Sequence, residues 1–112
     1  MITKLSNAKL ASAGTNYLNV LLPIEAQIVL ISCNNATKAG QGFHIDLIKV
    51  NDKADGSEAD NIPILYATQD ALNTVIYTCS IPLQSSEYRN VLVTFFTCDA
   101  NDDLKMVVGY QI

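Results

Sequence analysis

Apolar and polar positions along this chain exchange with a short period. Runs rich in Val, Ile, Leu, Tyr, Phe and Thr recur from Tyr17 to Ile112, and clusters of Asn, Asp, Ser, Gly and Pro separate them. Residues two apart share one face of a strand, so this alternation predicts half-buried β-strands. Leu18, Val20 and Leu22 share one face of the first clear run, and Tyr17 and Asn19 share the other. Pro23 ends that run because its nitrogen cannot donate to a ladder. Val75, Tyr77, Cys79 and Ile81 are expected inward, with Thr74, Thr78 and Ser80 outward and Ile76 an apolar exception. Leu104, Met106, Val108, Tyr110 and Ile112 form a last apolar face.

Two runs are apolar on both faces. In Gln27–Cys33 an outward Gln27 puts Ile28 and Leu30 inward and turns Val29 and Ile31 to the other side. In Val91–Cys98, Leu92, Phe96 and Cys98 oppose Val91, Val93 and Phe95. Such strands are central and covered on both sides, or they meet a neighbour. The expectation is that Val29, Ile76, Val93 and Phe95 point outward and are covered in an assembly. In Phe43–Val50 the face of Phe43, Ile45 and Leu47 opposes His44 and Asp46, but parity fails at Ile48, which predicts a one-residue bulge near Leu47–Ile48. Pro63 marks Ile62–Ala67 as an edge strand. Loops are expected at Asn34–Gln41, Asn51–Asn61 and Asp99–Asp103, and Asp70 is a candidate cap in the turn at Gln69–Asn73. Met1–Thr15 reads as an edge strand, a short arm or a flexible lead.

About seven strands at near-regular spacing in a chain of 112 residues predict a single domain, 1–112, with an all-β antiparallel sandwich fold. The order resembles an immunoglobulin-like domain, with the strands ending at Cys33 and Cys98 facing each other across the core. The chain departs from antibody-type domains in having no Trp and in carrying Phe96 where the tyrosine corner would be. A jelly roll is the alternative arrangement.

Charged residues make up only 16% of the chain, below the typical quarter, which suits a protein partly covered by partners. The net charge is −4, and the Lys and Arg residues are scattered singly. Nucleic-acid binding needs clustered positive charge and is not expected. No apolar stretch approaches the ~20 residues that span a bilayer as a helix, so no membrane partner is expected. Met1–Leu10 has no apolar signal region, so the chain is expected to be made in a cytoplasm and to stay soluble, or to leave by lysis or a non-Sec route. The three cysteines are expected to be reduced. A Cys33–Cys98 bridge, the less expected state, would add about 4 kcal/mol in the chain-entropy model.

Candidate chemistry is sparse. His44 is the sole histidine, and Asp46 shares its strand face, yet no nucleophile elbow or metal-ligand spacing accompanies them. The loop from Asp52 to Asp60 resembles the start of an EF-hand, but Lys53 occupies a ligand position and Ile62 replaces the terminal Glu. A looser calcium site could join these acids to Asp99, Asp102 or Asp103. Tyr17, Tyr66, Tyr77, Tyr88 and Tyr110 could stack on a sugar, although Tyr77 and Tyr110 read as inward. No cofactor and no enzymatic activity are expected.

A small, charge-poor sandwich without catalytic motifs resembles the immunoglobulin-like accessory proteins of bacteriophage particles. That resemblance implies a non-enzymatic structural protein located in the virion, docked on capsid or tail proteins or on copies of itself. The expected contacts are the Gln41–Val50 strand, the Asn51–Asn61 loop, the N-terminal arm and the Pro63 edge. The candidate interaction residues are Val29, His44, Asp46, Asp52, Asp55, Ile76, Val93 and Phe95. The alternative is a carbohydrate or cell-surface binding module acting through loops at one end of the sandwich.

Overall fold

A computed structural model describes residues 2–53, 55, 57, 60–69, 77–82 and 87–112, with backbone only at Ile28 and 77–82. The described residues form eight strands: β1 (Thr3–Leu10), β2 (Gly14–Leu21), β3 (Ile28–Asn35), β4 (Gly42–Ile48), β5 (Asn61–Thr68), β6 (Tyr77–Pro82), β7 (Asn90–Cys98) and β8 (Asp103–Gln111). They pair in two four-stranded sheets, ordered β1-β8-β3-β6 and β2-β7-β4-β5. The paired strands are antiparallel throughout. The all-β sandwich is therefore as expected. Eight strands in two sheets of four, with β4 and β5 the one consecutive pair among the described sheet neighbours, is the jelly-roll arrangement, the alternative reading. The count exceeds seven because residues 3–10 form a full edge strand, with Thr3 opposite Tyr110 and Leu10 opposite Asp103.

The core lies between the sheets. Val29, Ile31 and Cys33 of β3 and Leu104, Met106 and Val108 of β8 meet Leu18, Val20, Phe43, Ile45, Leu47, Val91, Val93 and Phe95 of the other sheet. Phe43 and Phe95 contribute a tilted ring pair, with centroids 6.3 Å apart. Burying side chains of this size stabilises by about 1.5–3 kcal/mol each. Cys33 and Cys98 are buried on opposite sheets, neither of them in a disulfide. Cys79 lies outside the described side chains.

This core corrects three expectations. Val29, Val93 and Phe95 do not point outward: all are fully buried between the sheets. Their strands are apolar on both faces, so parity alone could not orient them. The bulge in the β4–β5 ladder falls where Ile45 pairs with Leu65 but Asp46 pairs with Pro63, not at Leu47–Ile48. The extra residue is Ile64, on the edge strand beside the proline, where ladder irregularity is best tolerated. Alternation in β4 therefore never breaks. Ile48 is buried on the outer side of its sheet, with Leu92 beside it as part of a cavity floor. Ile76 and Asp70 lie outside the described residues.

Candidate functional site

The outer face of the β2-β7-β4-β5 sheet is where the strand register gathers functional groups. Tyr17 of β2 pairs with Thr94 of β7, Thr94 with His44 of β4, and His44 with Tyr66 of β5. These four side chains form one row across the sheet. The next row places Asn19, Leu92 and Asp46 side by side, and a third places Leu21, Asn90, Ile48 and Asn61. A concavity of about 230 Å³ opens on this grid, walled by Tyr17, His44, Phe96 and Asn61, with Asp46, Thr94, Leu92 and Ile48 at its floor.

Its polar centre is a buried carboxylate. Asp46 is 2% exposed although it sits on the outer side of a sheet. His44 Nδ1 lies 2.6 Å from Asp46 Oδ2, and Asn61 Nδ2 donates to Asp46 Oδ1 at 2.9 Å. The imidazole is held between two rings, with centroids at 4.9 Å for Tyr66 and 5.0 Å for Phe96. Geometry at this distance, with both ring faces covered, fixes the histidine against rotation and presents its edge to the carboxylate.

Phe96 follows Leu92 and Thr94 on the outer face, and a backbone irregularity comes directly after it. Thr97 has φ 53°, an uncommon value for a β-branched residue, and the β2–β7 register shifts beside it, from Asn16↔Phe95 to Gly14↔Cys98. The irregularity leaves Phe95 and Cys98 buried inward while Phe96 and Thr97 both face out. Lys38 clamps it: Nζ donates to the Thr97 carbonyl at 2.5 Å and to Asp99 Oδ2 at 3.3 Å. Gln41 Nε2 donates to the Phe96 carbonyl at 2.8 Å from the other side.

A second polar cluster closes one end of the sandwich. Asp102 Oδ2 accepts from Asn35 Nδ2 at 3.0 Å and from the Asp99 N–H at 2.9 Å, and Lys38 Nζ stands 3.6 Å away. Burial alone would raise the Asp102 pKa, and it is the largest single influence. The Asp99 N–H, the Asn35 amide and Lys38 together outweigh it and leave the carboxyl below its ordinary range. Gln69 locks the same corner by donating to the Asn35 carbonyl and accepting the Asn35 N–H, each at 2.7 Å.

The acidic loop is occupied with itself. Asp55 Oδ1 accepts the Ser57 N–H at 2.9 Å, and Asp52 Oδ2 accepts the Asp60 N–H at 2.8 Å. Asp60 also takes Lys49 at 3.2 Å and the Tyr88 hydroxyl at 3.1 Å. The Ser57 hydrogen bonds hold Asp55 below the ordinary carboxylate pKa, and Lys49 does the same for Asp60. Among the described residues no three His, Cys, Asp or Glu side chains gather as a metal site.

Of the sequence-predicted residues, the structure brings His44 and Asp46 together in the concavity. It leaves Asp52 and Asp55 in the separate loop and sends Val29, Val93 and Phe95 to the core. Sequence reading missed Thr94 and Phe96 as neighbours of His44 and Asn61 as the partner of Asp46. The signal for Thr94 and Phe96 was their shared parity on β7; the irregularity at Thr97 changes only the face of Cys98.

The sandwich also ends in open edges. Strands β1 and β2 pack against each other at one flank, and β6 and β5 terminate the two sheets at the other. The β1 edge carries Lys4 and Lys9 and no acid, whereas the loop leading into β5 carries Asp52, Asp55 and Asp60.

No family model matches the chain, and no curated protein matches it. Among solved structures it is similar to a chain described under Bacillus endospore appendages that form disulfide-linked pili, with a TM-score of 0.50 and 15% identity. The match covers 100% of this chain and 88% of that one. At this identity the likeness is one of fold.

Proposed function

We propose that this chain is a non-enzymatic structural subunit that joins copies of itself edge to edge. The observation that carries the reading is the pair of unlike flanks. One flank presents the lysine-bearing β1 edge, and the other presents β5 beside the acidic loop. An unpaired edge strand offers a row of backbone donors and acceptors that a neighbouring sheet can continue. Contact between two different flanks is heterologous, so it generates a ring when the rotation closes and a fibre when it does not. Opposite charge at the two flanks favours that register over flank-to-like-flank contact. The fold shared with a pilus chain supports the fibre form. The sequence profile's phage-particle version would set the same edges against capsid or tail proteins; the pilus likeness favours self-assembly.

Sedimentation velocity and negative-stain microscopy of the purified chain test the reading. Oligomers or fibres are expected to grow with protein concentration. The double reversal Lys4→Glu with Lys9→Glu is expected to weaken association about tenfold. Adding Asp52→Lys with Asp55→Lys to the same chain is expected to restore it. A chain that stays monomeric across the concentration range, or a swap that restores nothing, would overturn the proposal.

A further inference from the structure

We infer that the concavity on the outer face of the β2-β7-β4-β5 sheet is a binding site for a single saccharide ring. The inference concerns a different surface from the strand edges and stands independently of assembly.

Three observations meet there. The first is Asp46. An aspartate on the outer side of a sheet would ordinarily be solvated, yet this one is 2% exposed. Burying a carboxylate is costly unless it is well hydrogen-bonded. His44 and Asn61 supply two such bonds, and a carboxylate has about four lone-pair sites, so capacity remains for a hydroxyl donor in the cavity. The second is the mixture of planar polar groups with rings. Asp46 accepts, the Asn61 amide donates and accepts, and the Thr94 hydroxyl does both. Neighbouring hydroxyls of a sugar, each donor and acceptor, match that set, and its C–H face matches the aromatic side chains of Tyr17 and Phe96 that line the cavity. The third is strain. Thr97, at φ 53°, directly follows Phe96 in this wall, and backbone irregularities of this kind concentrate at ligand sites.

Size decides the ligand class further. About 230 Å³ lies below the ~300–1,000 Å³ of drug-sized pockets and suits one ring, not a folded peptide. The site is preformed, since Lys38 and Gln41 fix the Phe96–Thr97 backbone and Tyr66 and Phe96 fix His44. A single ring in a shallow preformed site binds in the millimolar range, about −4 kcal/mol at a Kd of about 1 mM.

The test is a ¹H–¹⁵N NMR titration of the full chain with D-glucose, D-galactose, D-mannose and N-acetylglucosamine, each added separately, and with n-butylammonium chloride. At least one sugar is expected to shift the amides of Tyr17, His44, Thr94 and Phe96 while those of β1 and β8 stay still. Phe96→Ala and Tyr17→Ala, both at partly exposed positions, are expected to weaken that binding about tenfold with the rest of the spectrum unchanged. Asp46→Asn should weaken it at least as much. The inference is overturned if no sugar moves the four signals, if n-butylammonium alone moves them, or if Phe96→Ala binds as tightly as the parent.

Discussion

Two aspartates in this sandwich are equally hidden, each 2% exposed, and they differ in what surrounds them. Asp102 closes the end of the fold. Its contacts come from one turn and the neighbouring β3 end, and every one ties backbone or side chain of the scaffold to itself. Asp46 stands in the middle of a sheet face. One partner, His44, stands on its own strand and the other, Asn61, on the adjacent β5, and a cavity adjoins it. The first arrangement is closed, so it fixes a loop. The second keeps a carboxylate dry and oriented beside open space, which is how a site holds a polar group ready for something else. Burial alone does not separate a structural acid from a recognition acid; the adjoining volume does.

Substitutions can widen or erase that contrast. The largest effect is expected for Asp102→Ala, which leaves the Asn35 amide and the Asp99 N–H without their acceptor and takes one carboxylate away from Lys38. A loss of about 3 kcal/mol should appear as a lower urea midpoint with an unchanged slope. Asp46→Asn keeps the shape and removes the charge. It should cost about 1 kcal/mol in the same measurement while removing the ligand response, so the two acids would part by function as well as by stability. Equal losses from the two substitutions would break the comparison.

The smallest effect is in the acid limb. Asp102 has a lower pKa folded than unfolded, so the unfolded chain binds more protons in that window. Its stabilisation is in place above the ordinary aspartate value of about 4 and is lost as pH falls through the folded value. Urea midpoints measured as pH is lowered below about 4 should therefore fall, and Asp102→Asn should flatten that decline. An identical acid limb in parent and variant would place the sensitivity elsewhere.

Much of this was written in the side-chain pattern, and the reasons it failed in places are physical. Strand β2 was readable because only one of its faces is apolar. Strands β3 and β7 were not, since Leu30, Leu92 and Phe96 lie on the faces opposite the core and leave no parity to read. The Thr97 irregularity then reverses the phase before Cys98, a step that a period-two argument cannot anticipate. Strand β1 was hidden because it is an edge, mostly exposed, and so carries little apolar alternation. At the site, His44 and Asp46 were visible as a same-face pair on one strand. Their partners Tyr17, Thr94 and Asn61 arrive by register from three other strands, and register is a property of the folded sheet rather than of any local segment.

The pairing of β1 with β8 has a consequence for how the protein is made. Thr3 lies opposite Tyr110, so β1 is completed only by β8, which is made after the six strands between them. Contacts this distant in sequence form slowly, because the whole intervening loop must close first. Until β8 has emerged β1 stays unmatched, with its backbone available to any other nascent copy nearby. Polysomes, where many unfinished chains crowd together, are thus the setting in which timing of translation would govern whether copies mature singly or entangle.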